Sequence, residues 1–326
     1  MQRRTFLQLA AATPLLAADD FPSAEIANGK IKARLYLPDD KRGYYRGTRF
    51  DWSGVIASLE CGGHNYFGVW FDKYDPKLHD AITGPVEEFL TKDGSTLGYD
   101  AAKPGETFIR IGVGVLRKSK EEKFQRFFTY DIVDSGKWKV GTKKDAATFT
   151  HTLRDPASGY AYQYRKTVRL VPGKPELIID HALKNTGGKP IETDVYNHNF
   201  FVIDGQPTGP DFTITFPFEP KPSTDFQGKA AIKGRELTYT RVFQKGDTTI
   251  AVLSGFGNTT ADHDVRVVNR KTGATVRYTG DKPLSKIVYW SAERTLSPEN
   301  YISLSADPGR EVTWSLRYEF GSEKTK

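Results

Sequence analysis

Apolar residues alternate with polar or small ones along much of this chain, with a period of two. Val312, Trp314, Leu316, Tyr318 and Phe320 form the cleanest run, and this pattern predicts a strand with one face on a core. Leu177, Ile179, His181 and Leu183 repeat it, as do Ile109, Ile111, Val113 and Val115. Further strands are predicted at 160–171, 195–203, 212–218, 248–254, 274–278, 287–293 and 301–306. Pro172-Gly173, Thr186-Gly187-Gly188, Asp204-Gly205 and Pro308-Gly309 punctuate them as turns. Helix-forming runs are scarce. This spacing predicts an all-β fold, a large antiparallel sandwich. No Ser/Gly linker or break in composition divides the chain, so a single domain is expected, with a frayed polar tail from Gly321.

The first residues depart from the pattern. Arg3-Arg4-Thr5-Phe6-Leu7 precedes a mostly apolar run from Leu9 to Ala18. This reads as a twin-arginine-type signal peptide over residues 1–18. It implies a mature chain over 19–326 that is periplasmic or secreted. The run is too short to span a bilayer, and no other stretch qualifies, so no membrane partner is expected after cleavage.

Composition narrows the remaining classes. The 326 residues include 30 Gly, 16 Tyr and 20 Phe, which suits many strands joined by tight turns. The net charge is +7, but Lys and Arg are scattered. Arg117, Lys118, Lys120 and Lys123 interleave with Glu121 and Glu122 as a solvated turn, so no nucleic-acid partner is expected. Cys61 is the only cysteine, which excludes an intrachain disulfide. No His-x-His, His-Glu-x-x-His or Asp-x-Asp-x-Asp spacing is present, and no phosphate loop or Gly-x-Ser-x-Gly elbow. No metal and no cofactor are therefore expected. His151 and His263 lie among polar residues, and His181 reads as a core histidine.

The densest chemistry is at Tyr196-Asn197-His198-Asn199-Phe200-Phe201. Aromatic faces suit the C–H groups of a sugar, amides bind its hydroxyls, and a histidine moves protons near neutral pH. Alternation puts Asp194, Tyr196, His198, Phe200 and Val202 on one face. The order Asn197-His198-Asn199-Phe200-Phe201 resembles the Asn-His-Thr-Tyr-Phe segment of the galactose mutarotases (aldose 1-epimerases). The C-terminal layout is similar too. The apolar stretch Ile287–Ala292 ends in Glu293, a loop over 294–298 and a strand follow, and then the turn Pro308-Gly309-Arg310-Glu311 leads into the last strand.

The resemblance implies the β-supersandwich of the galactose mutarotase-like superfamily and a carbohydrate substrate. It also implies an acid–base pair that opens and recloses the sugar ring. Carried over, His198 is the acid and Glu293 the base, with Glu299 the alternative base if the loop is shorter. Arg49 occupies the place of a hydroxyl-binding arginine, and Asn197 and Trp290 are further candidate sugar contacts. An earlier family histidine, in a His-Gly-Gly motif, has two candidate counterparts here: His79, and His64 in the reversed Gly62-Gly63-His64. Two other functions fit the same fold: a polysaccharide lyase or other sugar epimerase, and a sugar-binding protein without catalysis. The sequence leaves the sugar and the oligomeric state open.

Overall fold

The computed structural model describes residues 21–323; the signal segment expected at 1–18 lies outside the described residues. Regular structure among them is strand, apart from a short 3-10 turn at Thr260–Asp262.

A ten-stranded antiparallel sheet forms the back of the molecule. At its centre Glu176–Asn185 pairs with Tyr160–Leu170 on one side and Glu311–Ser322 on the other. A six-stranded sheet lies in front. Its order is Lys221–Pro222, Thr248–Ser254, Lys286–Ala292, Thr295–Ala306, Ile191–His198 and Val86–Leu90. Smaller sheets of four and three strands complete the fold. The core fills the space between the two large sheets. Ile191, Val195, Ile302 and Leu304 from the front pack on Tyr164, Leu183 and Trp314 from the back, and Ala251, Leu253, Ile287 and Tyr289 meet Leu177, Ile179, Leu316 and Tyr318.

Alternation turns every second residue of the front sheet outward. Ile250, Val252 and Ser303 are exposed there, and Trp290 is half-buried. Glu88, Tyr196, His198, Glu299 and Tyr301 share that outer face by register.

The structure corrects several expectations. The 109–115 run is a hairpin: Thr107–Arg110 turns back on Gly114–Arg117 through Gly112. Gly112 has φ +78°, and a Cβ there would sit 2.6 Å from Asp51 Oδ1, so the turn requires glycine. Residues 321 and 322 extend the last strand, Glu311–Ser322, and Ser322 pairs with Ala274. His151 and His263 are buried; His151 stacks on Trp138 and bonds Tyr162 Oη at 3.0 Å. Lys118 is buried too, with Nζ donating to the Tyr99 carbonyl, although it belongs to the expected solvated turn. His181 is the core histidine expected, bonded to Tyr164 Oη at 2.9 Å and stacked on Trp314.

Candidate functional site

His198 ends the strand Ile191–His198, and Glu299 lies in the neighbouring strand Thr295–Ala306. The ladder between them pairs Tyr196 with Tyr301 and resumes at a bridge between Phe201 and Leu296. Continuing the same register across the gap sets His198 opposite Glu299. Opposite residues have Cβ atoms about 5 Å apart, and His198 Nε2 lies 3.2 Å from Glu299 Oε1. Pro298 fits in this strand because the ladder is open there, so no backbone donor is needed. Its carbonyl instead accepts from Asn199 Nδ2 and Tyr278 Oη.

The expected loop at 294–298 is therefore strand from Thr295 onward, and the turn falls at Glu293-Arg294. Glu293 is half-buried in that turn, with its carbonyl accepting from the Thr208 N–H. It stands six residues before Glu299, on the order of 20 Å along an extended chain. Of the two candidate bases, Glu299 is the one that meets His198.

Aromatic rings wall the pair. Phe200 stacks on His198 with centroids 3.6 Å apart, Trp290 meets the imidazole edge-on at 5.0 Å, and Trp70 stacks on Phe200 at 5.2 Å. Phe200 reaches this position through a left-handed backbone, φ 42°, the kind of strain that collects at functional sites.

Burial sets the proton affinities. It pushes the Glu299 carboxyl up to about 7, against the opposing pull of Arg126 and Arg49. Burial, reinforced by the charges of Arg49 and Arg126, holds His198 well below the usual histidine range. Both shifts run toward the neutral forms, with Glu299 the readier of the two to hold a proton. The other oxygen of Glu299 accepts from Tyr301 Oη at 3.4 Å. His198 Nδ1 is buried without a hydrogen-bond partner among the described residues.

One residue pair along the same face, Glu88 gathers three guanidinium groups. Arg49 Nε donates to it at 2.9 Å, Arg110 Nη2 at 2.6 Å, and Arg126 Nη2 at 2.7 Å. Tyr196 Oη also donates to Glu88, at 2.5 Å, and accepts from Arg126 Nη2 at 2.6 Å. Burial opposes ionisation of Glu88, but Arg126, Arg49 and Arg110 outweigh it and hold the carboxyl well below the usual range. Sequence reasoning missed Glu88, Arg110 and Arg126. The available signal was Glu87-Glu88 inside an apolar strand, Val86–Leu90, where both faces are buried.

The other expected contacts separate. Arg49 and Trp290 are at the site. Asn197 faces inward, where Nδ2 donates to Glu87 Oε1 at 2.8 Å. His79 is at the rim, its ring 4.9 Å from that of Phe127, which in turn lies under Arg49. His64 is elsewhere, bonded to Asp204 at 2.9 Å and lining a separate cleft of about 690 Å³ with Cys61. Burial raises the Cys61 thiol above its ordinary value, so it is a poor nucleophile. A larger cleft, about 1130 Å³, runs past Asp194 and Ser303, the next outward pair beyond Tyr196 and Tyr301.

Gly84 supports the pair from below. A Cβ on it would collide with the carbonyl of Asn199 and lie 2.7 Å from that of His198. Gly84→Ala is expected to lose about 1–3 kcal/mol of stability and to shift His198. Chemical denaturation together with the His198 imidazole resonances would check this; a variant unchanged in both would refute the close fit.

No protein-family model matches the chain, and no curated protein sequence matches it. Solved structures do. A galactose mutarotase related enzyme from Lactobacillus acidophilus superposes with a TM-score of 0.53 at 14% identity, covering 93% of this chain and 99% of that one. A galactose mutarotase-like protein from Clostridium acetobutylicum gives 0.55 at 12%, covering 92% and 95%. A protein from Synechocystis gives 0.57 at 13%, covering 99% and 100%. The chain has the galactose mutarotase-like fold, an all-β antiparallel supersandwich, as its sequence implied.

Proposed function

We propose that this protein is a carbohydrate-active isomerase that interconverts the anomers of an aldose. The observation that carries this reading is the His198–Glu299 contact on the outer face of the front sheet. Ring opening takes a proton from the C1 hydroxyl and delivers one to the ring oxygen, both bonded to the same carbon. With one proton between them, neutral His198 can accept the first while the Glu299 carboxyl delivers the second, the reverse of the roles the resemblance implied. Trp290 offers the apolar face for the sugar, and Arg49 a donor for its oxygens. A lyase is less favoured. Of the residues that could serve it as a base, Tyr196 is buried with its hydroxyl held protonated well above the usual tyrosine range, and His198 already faces Glu299. A binding protein would not need the shared proton. The twin-arginine pattern at Arg3-Arg4 supports action outside the cytoplasm.

Polarimetry of freshly dissolved α-D-galactose and α-D-glucose, with and without the mature protein, tests the reading. Faster relaxation to an unchanged final rotation supports it. No acceleration with any aldose, neutral or anionic, would overturn it.

The pair also sets the pH dependence. Its active form carries one proton, and that proton leaves as pH rises through about 7. kcat/KM is therefore expected to fall about tenfold per pH unit above pH 7–8. The acid limb should lie well below the ordinary histidine value, because His198 is held low. A rate that climbs through pH 7 to a plateau would show a lone carboxylate at work and refute the shared proton.

A further inference from the structure

The Glu88 cluster carries more positive than negative charge. Three guanidinium groups face the single carboxylate of Glu88. The next carboxyl on that face, Glu299, is pushed up to about 7 and supplies at most one further negative charge. Asp194 lies one outward position away, engaged by Ser303 Oγ, and Asp80 at the rim faces His79. Counted over the three arginines, Glu88 and Glu299 alone, the surplus is one or two positive charges in a largely buried setting, which is unfavourable unless a counter-charge arrives.

The three arginines differ in access. Arg110 is 1% exposed and Arg49 8%, but Arg126 is 30% exposed. Arg126 comes from the segment joining the strands Gly114–Arg117 and Asp131–Asp134, beside the exposed rings of Phe127 and Phe128. Its Nε and Nη2 are engaged by Glu88 and Tyr196, and those of Arg49 likewise. The Nη1 groups of both are left over by Glu88 and Tyr196. A planar guanidinium already fixed by such partners is a strong donor to an oxyanion.

We propose that the site takes an anionic sugar, whose carboxylate or phosphate outside the ring is held by Arg126 and Arg49 while its C1 lies at His198 and Glu299. The placement of C1 rests on the anomer-interconversion reading; the anion contact does not. Export favours the carboxylate, a hexuronate, over a phosphorylated sugar.

The test is calorimetric binding of D-galacturonate, D-glucose 6-phosphate and D-galactose to the mature protein, at low and high salt. Arg126→Met and Arg126→Lys are measured alongside, with their folding checked by thermal melting. The wild type should bind an anionic sugar at least about tenfold more tightly than galactose, and salt should weaken only the anionic ligand. Arg126→Met should lose about 10- to 100-fold for the anion and much less for galactose. Arg126→Lys should fall between, keeping the charge and losing the fork. Preference for galacturonate over glucose 6-phosphate identifies the carboxylate, and the reverse identifies the phosphate. Equal binding of galactose and both anions, or equal losses for all in Arg126→Met, overturns the proposal. If Arg126→Met does not fold, the wild-type preference, its salt dependence and the lysine variant decide. Arg126-dependent anion binding without anomer interconversion keeps this inference and refutes the isomerase; interconversion with no anion preference does the opposite.

Discussion

Glu299→Gln is expected to lower anomer interconversion by about two to four orders of magnitude, the scale of a lost acid–base group. Glu293→Gln, altered only in the turn, is expected to keep nearly the wild-type rate. The reverse result would move the reacting carboxyl to Glu293 and dissolve the His198–Glu299 pair as the reacting unit. The same substitution is expected to change stability in the opposite direction. The folded pKa of Glu299, about 7, is above the ordinary 4.5. The folded state therefore binds this proton more tightly than the unfolded state. Its stabilising contribution is complete below pH 4.5 and is lost as pH rises through 7. At pH 8 the wild type carries a buried ionised carboxylate, and glutamine does not. Glu299→Gln should then be more stable by up to about 3 kcal/mol, with the gap closing toward pH 5. Denaturation midpoints at the two pH values read this directly; a variant less stable than wild type at pH 8 would sink the argument.

Lys166→Met is expected to be the most damaging single change to the fold. Lys166 is fully buried between the two large sheets, where Nζ contacts Glu87, donates to the Ser53 carbonyl at 2.8 Å and lies 3.6 Å from Asp51. Burial opposes ionisation of Glu87, but Lys166, His181 and Asn197 outweigh it and keep its carboxyl below the usual value. Without the ammonium group, Glu87 and Asp51 are left as buried acids with too few partners. Breaking such a group from one side typically loses about 3–5 kcal/mol. Glu87 contributes its stability above its ordinary pKa and loses it as pH falls, so the deficit should shrink in acid. Glu87→Gln in the Lys166→Met background should recover part of the loss, since it removes the unpaired charge. Urea denaturation of the wild type and the two variants measures both effects, and a loss under about 1 kcal/mol in Lys166→Met would refute the network's role.

Much of the architecture was legible because alternation with a period of two survives wherever one face of a strand is buried. The last strand and the 177–183 run both follow from it. The reading failed where backbone geometry overrode the pattern. Ile109 to Val115 alternates cleanly, but Gly112 takes a left-handed conformation, with Asp51 where a side chain would go, and the run folds into a hairpin. Pro298 reads as a break but sits in a strand, because the ladder is open beside it. That misreading put the loop in the wrong place and made Glu293 the first candidate base. Alternation did place Tyr196 and His198 together correctly, and it also implied that Asn197 faces away. The arginine cluster was the least legible part. Arg49, Arg110 and Arg126 come from three separate segments, and only the folded chain brings them to Glu88.

The ladder fastens His198 and Glu299 from both sides, through Tyr196 and Tyr301 at one end and Phe201 and Leu296 at the other. Arg126 hangs from a connecting segment that can be rebuilt without disturbing that ladder, because loops tolerate replacement far better than sheet interiors do. On the proposed function, change in this segment would alter the anion contact first, and through the charge of Arg126 it would also retune the proton affinities of His198 and Glu299.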